Sequence, residues 1–212
     1  MTLAHPILEG KRLAAVLRTL GRQDRDLARA FAEVGVPPPR SRPPGFASLV
    51  EIVLAQQVST ASYRAILARL LAAIGAITPD AILSLGEGGL RAIGFSRQKA
   101  IYAVGLSAAA REGRLDLAAL AWQPDEVAMR ELVKLPGIGR WTSEIYLMFC
   151  LQRPDILPAG DLALRTAAGL LKRKRARPEE LALRRMGEAW RPWRSVASRL
   201  LWHYYAQTRT RN

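Results

Sequence analysis

Asp161 is the residue whose type and position point most directly to chemistry. It follows Gly160 and precedes an apolar segment with helical spacing. A carboxylate held at the start of a helix can stabilise positive charge that develops on a bound ligand. Asp is also a common N-cap, where its side chain accepts a hydrogen bond from the helix backbone. Residue type and position alone leave both roles open.

A glycine turn precedes Asp161 and reads Leu-Pro-Gly-Ile-Gly-Arg at residues 135–140. Its two glycines, Gly137 and Gly139, let backbone amides approach an anion at the start of the following helix, where the helix dipole also favours negative charge. Lys134 and Arg140 add positive charge, and Ile138 is expected to pin the flanking helices together. The pattern predicts a phosphate site, although an ordinary tight turn between packed helices contains the same residue types.

The charge balance favours a polyanionic partner. The 212 residues contain 32 Lys and Arg against 18 Asp and Glu, a net charge of +14. Such a surplus suits nucleic acid, with a membrane surface as the alternative. Residues 1–10 lack a basic segment followed by an apolar signal core, and no apolar run approaches the ~18 residues needed to span a bilayer. We therefore expect a cytoplasmic protein with no membrane partner.

Cysteine content limits the kinds of site that the chain can build. Cys150 is the only cysteine, which excludes an intrachain disulfide and a four-cysteine zinc or iron–sulfur site. We expect Cys150 to be a small core residue.

The elements that must position these residues are predicted to be helices. A composition rich in Ala, Leu and Arg, with few alternating β-branched runs, indicates an all-α fold. A helical pair is expected over residues 10–34, followed by a proline-rich arm at 36–45 that cannot continue a helix. Short pieces broken at Gly88-Gly89 and Gly94 are expected between 74 and 96. The remaining helical patterns cover residues 46–57, 60–74, 96–112, 127–134, 141–151, 161–173, 178–189 and 192–207.

Three segments together resemble one protein family. They are Leu-Pro-Gly-Ile-Gly-Arg-Trp-Thr at 135–142 with Leu-Pro-Ala-Gly-Asp at 157–161, Leu-Ala-Gln-Gln-Val-Ser at 54–59, and Trp-Arg-Pro-Trp-Arg-Ser at 190–195 with Trp202. In their order along the chain they resemble the helix-hairpin-helix DNA glycosylase superfamily, and specifically its 3-methyladenine DNA glycosylase II branch. The resemblance spans roughly residues 45–206. It implies a two-subdomain helical bundle with an active-site cleft between the subdomains.

The resemblance also implies an activity. Members of this family flip a damaged base out of double-stranded DNA and break the N-glycosidic bond. Bond breakage leaves positive charge on the sugar, and the resemblance implies that Asp161 stabilises this charge. Relatives that also cleave the strand carry a lysine where this chain has Trp141, so water is the expected nucleophile and no Schiff base forms there. A monomer is expected. A non-catalytic helix-hairpin-helix DNA-binding protein and a bifunctional glycosylase with lyase activity are the alternatives.

Further site residues follow from the same resemblance. Indole faces in the base pocket would attract an alkylated, cationic base, and the pocket is expected to contain Trp141, Ile145, Trp202 and Gln56. Gln57 is expected to be the wedge that fills the gap left by the flipped nucleotide. The other DNA contacts are expected from Lys134, Gly137, Ile138, Gly139, Arg140 and Thr142. A monovalent cation at the carbonyls of Leu135 and Gly137 is the only cofactor implied.

Two departures from the family leave questions open. Ile145 stands where a relative has a pocket tyrosine, so the preferred lesion stays open among N3-methyladenine, N7-methylguanine, ethenoadenine and hypoxanthine. The best-known bacterial member has a β-rich domain ahead of its helical core, whereas only helical elements are expected in this sequence. We expect a helical segment and linker packed on the core (1–45), a glycosylase core (46–206, hairpin 128–151) and a C-terminal tail (207–212). Trp190 and Trp193 are expected to pack that core.

Overall fold

The structure, a computed structural model, describes residues 10–210, without the side chain of Thr210. Residues 1–9 of the expected N-terminal segment and residues 211 and 212 of the expected tail lie outside it. The described residues form twelve α-helices: α1 (Gly10–Gln23), α2 (Arg25–Val34), α3 (Phe46–Ala55), α4 (Thr60–Ile74), α5 (Pro79–Ala92), α6 (Arg97–Arg111), α7 (Leu117–Leu120), α8 (Asp125–Leu132), α9 (Arg140–Phe149), α10 (Leu162–Leu171), α11 (Glu180–Gly187) and α12 (Arg194–Thr210).

The all-α prediction is confirmed, since residues 10–210 contain no strand. Polar side chains begin many of the helices, because each accepts a hydrogen bond from an otherwise unsatisfied first-turn amide. These capping residues are Asp24, Ser59, Thr78, Ser96, Asp116 and Asp161.

Two local expectations differ from the structure. The break expected at Gly88-Gly89 lies instead at Gly86, whose φ of 64° and ψ of 176° kink α5, while the two later glycines stay helical. Glycine in a helix interior costs only about 1 kcal/mol, which neighbouring packing can offset. The helix expected to reach Gln57 ends at Ala55. The short helix α7 had no clear signal in the sequence.

The chain divides into two compact units, Met1–Ser41 with Leu147–Asn212, and Arg42–Tyr146. We call them the terminal unit and the central unit. The expected 46–206 core contributes helices to both units, and α1 and α2 belong to the terminal unit.

The terminal unit is built around apolar side chains from α1, α2, α10 and α12. Trp190 is fully buried there, and its indole Nε1 donates to Asp24 Oδ2 at 2.9 Å. Trp193 packs against the same core. Both tryptophans therefore have the packing role expected from the sequence, and Cys150 is buried as well.

The central unit has a separate core. Its buried side chains come mainly from α3, α4, α5 and α6, with α5 and α6 packed along each other. No single helix among residues 10–210 combines the length and the apolar composition that a membrane crossing needs, and only the bent pair α4 and α5 does so when taken together.

Candidate functional site

Asp161 caps α10 and contacts an aromatic side chain at the same time. Its Oδ1 accepts a hydrogen bond from the backbone N of Leu164 at 2.7 Å and a second from Trp202 Nε1 at 2.9 Å. Trp202 lies on α12, so donors from two helices converge on one carboxylate oxygen. The sequence left capping and a chemical role as alternatives, and the geometry shows a cap whose carboxylate also lies against an indole.

An aromatic cluster in the terminal unit extends from Trp202. The ring centroids of Phe149 and Trp202 are 6.0 Å apart and tilted by 32°. The guanidinium carbon of Arg40, in the middle of the proline-rich arm, lies 6.0 Å from the Phe149 centroid. Neither Phe149 nor Arg40 was singled out from the sequence, because nothing in their spacing links them to Trp202.

The loop that leads to Asp161 is fastened to the start of α12. Asp155 accepts hydrogen bonds from Arg191 at 2.7 Å and from Arg194 Nε at 2.8 Å. The Ser195 hydroxyl accepts from Ile156 N at 2.9 Å and donates to the Arg153 carbonyl at 2.7 Å. The segment at 190–195 thus holds the loop ahead of the carboxylate, a role that the sequence did not reveal.

The glycine turn connects α8 to α9 in the central unit, and its two glycines differ. Gly137 has a φ of 77°, and a Cβ there would clash with the Tyr102 ring. A Cβ on Gly139 would meet nothing within 4 Å. Gly137 is therefore required by backbone conformation and packing, whereas Gly139, directly before α9, borders open space. Ile138 is buried between them.

The two cations of the turn have carboxylate partners, which the sequence analysis did not consider. Lys134 Nζ lies 2.8 Å from Glu131 Oε1, and Arg140 Nε lies 3.0 Å from Glu144 Oε1. The partners stand three or four residues apart in the sequence, a spacing that brings side chains together in helical turns. That spacing was visible in the sequence and could have revealed them.

Gln56 connects the end of α3 to the glycine turn. Its Nε2 donates to the Gly137 carbonyl at 3.0 Å and to Thr142 Oγ1 at 2.8 Å, and Thr142 is buried. The next residue, Gln57, is exposed and has a φ of 52°, a conformation that few residues other than glycine adopt. Gln57 thus combines a strained backbone with an exposed side chain in the connection between α3 and α4, and its role as a wedge stays a prediction.

The remaining predicted pocket residues also lie in the central unit. Trp141 is the second residue of α9 and is half-buried, and Ile145 follows one turn later and is buried. Gln56, Trp141 and Ile145 thus lie in the same unit, which also contains Gly137 and Thr142.

The carbonyls expected to bind a monovalent cation already accept hydrogen bonds. Leu135 O accepts from Ile138 N at 3.2 Å, and Gly137 O accepts from Gln56 Nε2. A carbonyl oxygen has two lone pairs, so each retains one for an oxygen-seeking cation. Within residues 10–210, no group of three or more His, Cys, Asp or Glu side chains is placed to hold a metal ion.

Comparison with known proteins adds a family assignment to this geometry. A family model described as HhH-GPD superfamily base excision DNA repair protein matches residues 50–192. The chain is 39% identical over 168 residues to a Mycobacterium tuberculosis protein named "Probable bifunctional transcriptional activator/DNA repair enzyme AlkA", an alignment that covers 72% of this chain and 32% of that protein. The chain spans 32% to 64% of the length of the curated relatives it matches.

Two solved structures share the fold and part of the sequence. The DNA-3-methyladenine glycosidase of Bacillus halodurans superposes with a TM-score of 0.81 at 28% identity, covering 92% of this chain and 91% of that one. The 3-methyladenine DNA glycosylase Mag1 of Schizosaccharomyces pombe, solved in complex with abasic DNA, also gives 0.81, at 27% identity over 89% of this chain and 95% of that one.

Proposed function

Because the chain belongs to the HhH-GPD superfamily of base excision DNA repair proteins, we propose that it is a monofunctional DNA-3-methyladenine glycosylase. It would flip a damaged purine out of duplex DNA and hydrolyse the bond between base and sugar. The observation that carries the proposal is the Asp161 carboxylate, which Leu164 N and Trp202 Nε1 hold at the start of α10.

The proposed reaction uses the carboxylate as an electrostatic partner. The bond between C1′ of the sugar and the purine nitrogen breaks, the base leaves with the electron pair, and C1′ becomes positively charged. Asp161 stabilises that charge, and water then adds to C1′ and loses a proton. A fixed negative charge is effective here because it needs no reorganisation as the cation forms. The products are a free base and an abasic site in an intact strand.

Trp141 supports the monofunctional form of the proposal. An amine at this position, directly after the glycine turn, would attack C1′ and give a Schiff base that leads to strand cleavage. An indole cannot do this, so water is left as the nucleophile. A lyase activity would require a lysine from another part of the chain.

Alkylated purines are the substrate class that we propose. The indoles of Trp141 and Trp202 present electron-rich faces, which attract cationic groups. A base made cationic by alkylation is also a good leaving group, so the site needs to supply less acceleration. The names of the two structural relatives, which refer to 3-methyladenine, support the same class.

Double-stranded DNA is the proposed partner, bound by a monomer. The net charge of +14 and the open space in front of Gly139 support phosphate contacts at the start of α9. Lys134 and Arg140 belong to this proposed contact through their side chains. Ile138 and Thr142, whose side chains are buried, belong to it through backbone atoms, and Gln57 would enter the duplex. If a monovalent cation binds, the Leu135 and Gly137 carbonyls would hold it, and it would offset phosphate charge.

A panel of duplexes, each with one defined lesion, tests the proposal. Wild-type protein is incubated with N3-methyladenine, N7-methylguanine, ethenoadenine or hypoxanthine duplexes, and base release and strand breaks are scored. Breaks that appear only after alkali are expected for at least the cationic lesions. Breaks without alkali would show a bifunctional enzyme, and duplexes that bind but stay alkali-resistant throughout would show a non-catalytic binding protein. Either result contradicts the proposal.

A further inference from the structure

Lys99 on α6 donates two hydrogen bonds to the end of α3. Its Nζ lies 2.7 Å from the Leu54 carbonyl oxygen and 2.6 Å from the Gln56 carbonyl oxygen. Both acceptors belong to the segment where the helix stops and the loop to α4 begins. The last carbonyls of a helix have no partner within it, so the ammonium group satisfies atoms that the loop would otherwise have to leave to water.

The electrostatics of Lys99 fit this capping role. Its side chain is half-buried, and burial lowers the pKa of its ammonium group. No carboxylate pairs with it among residues 10–210, so carbonyl dipoles are what offset its charge. A cation is favoured at the C-terminal end of a helix, where the dipole is negative.

The loop that Lys99 contacts has a strained conformation. Gln57 follows the bound Gln56 carbonyl directly and has a φ of 52° with an exposed side chain. Such a conformation in a residue other than glycine persists only where its surroundings fix it. Lys99 holds the backbone of this loop on one side, while the Gln56 side chain fastens it to Gly137 and Thr142 on the other.

We propose that Lys99 is a positioning residue for base flipping, which fixes the Gln56–Gln57 loop in the conformation that enters the DNA duplex. The inference rests on the proposed glycosylase function and its assignment of Gln57 as the wedge. Lys99 acts through the loop and touches neither the base nor the sugar. Without its ammonium group, Gln57 would sample other backbone conformations and fill the gap in the duplex less often.

The test uses a probe that requires no base release. A duplex carries a tetrahydrofuran abasic analogue with 2-aminopurine beside it, so the fluorescence rises when an inserted side chain unstacks the neighbouring base. Lys99→Met keeps the length of the side chain and removes its donors and charge, whereas Lys99→Arg keeps both. Lys174→Met is the matched control, since it removes one positive charge from an exposed position whose side chain has no ion pair.

The fluorescence rise at saturating Lys99→Met is expected to be about three- to tenfold smaller than with wild type. This is the size of effect expected when one strained backbone conformation is no longer held in place. Lys99→Arg should restore most of it, and Lys174→Met should match wild type at saturation. An undiminished rise with Lys99→Met, or a loss that Lys99→Arg does not restore, would overturn the proposal.

A double-mutant cycle separates positioning from general destabilisation. If Lys99 acts through Gln57, then Lys99→Met should reduce the rise little further in a Gln57→Ala background. Additive losses would mean that Lys99 supports the unit in some other way, and the positioning role would be wrong. Amide hydrogen exchange in the free proteins gives a second readout, with faster exchange expected at residues 56–59 and unchanged exchange in α8. An unchanged rise with Gln57→Ala alone would instead contradict the wedge assignment in the proposed function.

Discussion

The indole of Trp202 donates to the same oxygen of Asp161 that caps the first turn of α10, with the two donors at 2.9 and 2.7 Å from Oδ1. Because one donor belongs to α10 and the other to α12, the carboxylate orientation depends on how these two helices of the terminal unit pack. Capping and a chemical role are therefore compatible in this geometry, and the chemical role itself stays a prediction.

Trp202→Phe keeps an aromatic ring against Phe149 and removes the donor to Asp161. A hydrogen bond to a charged group contributes about 1.5 to 3 kcal/mol, so single-turnover base release should slow by about 10- to 100-fold. Duplex binding should change little. Trp193→Phe, a similar change on the same core, serves as the control and should release base at the wild-type rate. If Trp202→Phe also released base at the wild-type rate, the hydrogen bond to Asp161 would have no role in the reaction.

The two glycines of the turn should respond differently to alanine. Gly137→Ala combines a positive φ with a Cβ that clashes with the Tyr102 ring, so the thermal midpoint should fall, with a loss on the order of 1 to 3 kcal/mol. Gly139→Ala faces open space and should leave the midpoint nearly unchanged while weakening binding to all duplex sequences alike, since it obstructs a backbone contact. Thermal melts and duplex titrations of both variants check this contrast. A Gly139→Ala variant that binds duplex normally would remove the proposed phosphate site.

Glu131→Gln should tighten duplex binding. Glu131 neutralises Lys134 in the free protein, so removing its charge leaves the lysine available to a phosphate. The gain should be about two- to fivefold at low salt and should shrink as added salt screens exposed charges. Glu87→Gln removes the same charge from an exposed position on α5 and controls for net charge. Titrations across a salt series would contradict the account if both variants gained equally.

Asp24 should make folding stability sensitive to acid. Burial raises the pKa of Asp24, but hydrogen bonds from Lys172 and Trp190 outweigh it and hold the pKa below 3.8. A carboxylate with a lowered folded-state pKa contributes stability above its unfolded pKa, and this contribution is lost as the pH falls through the folded value. Asp24→Asn should lower stability at neutral pH by about 1 to 3 kcal/mol. Its stability should also fall less than that of wild type between about pH 5 and pH 2.

Denaturant unfolding of both proteins at several pH values measures this effect. Base release at neutral pH serves as the internal control, because Asp24 lies in the packing of the terminal unit and has no proposed role in the reaction. Parallel pH profiles for the two proteins would show that the carboxylate charge of Asp24 does not contribute to stability.

Helix order, the capping positions and the glycine turn could be predicted because their signals are local. Ser59, Ser96 and Asp161 each precede an apolar segment with helical spacing, and each caps the helix that follows. The turn around Gly137 was recognisable because its backbone conformation restricts the residue type there. Bounds were less accurate where two residue preferences compete, as at Gly86 and the end of α3.

Contacts between distant residues could not be predicted in this way. Lys99 and Leu54 are 45 residues apart, and Trp202 and Asp161 are 41 apart. Periodicity tells which face of a helix is apolar, but it does not tell which polar atom of another helix that face meets. The partners of Lys99, and of Asp155 in the loop before α10, depend on the packing of whole helices, so they became evident only from the structure.

Asp161→Asn tests the central claim most directly, because the amide keeps the Oδ1 acceptor that Leu164 N and Trp202 Nε1 use while removing the charge. Asn caps helices about as well as Asp, so the thermal midpoint should not change. Single-turnover release of every lesion should fall by about 10²-fold or more, the usual scale for one electrostatic catalytic group. Equilibrium binding to the same lesion duplex should be as tight as wild type or tighter, because a charge that repels phosphate is gone. Undiminished release by a folded Asp161→Asn variant would contradict the account and leave Asp161 as a helix cap.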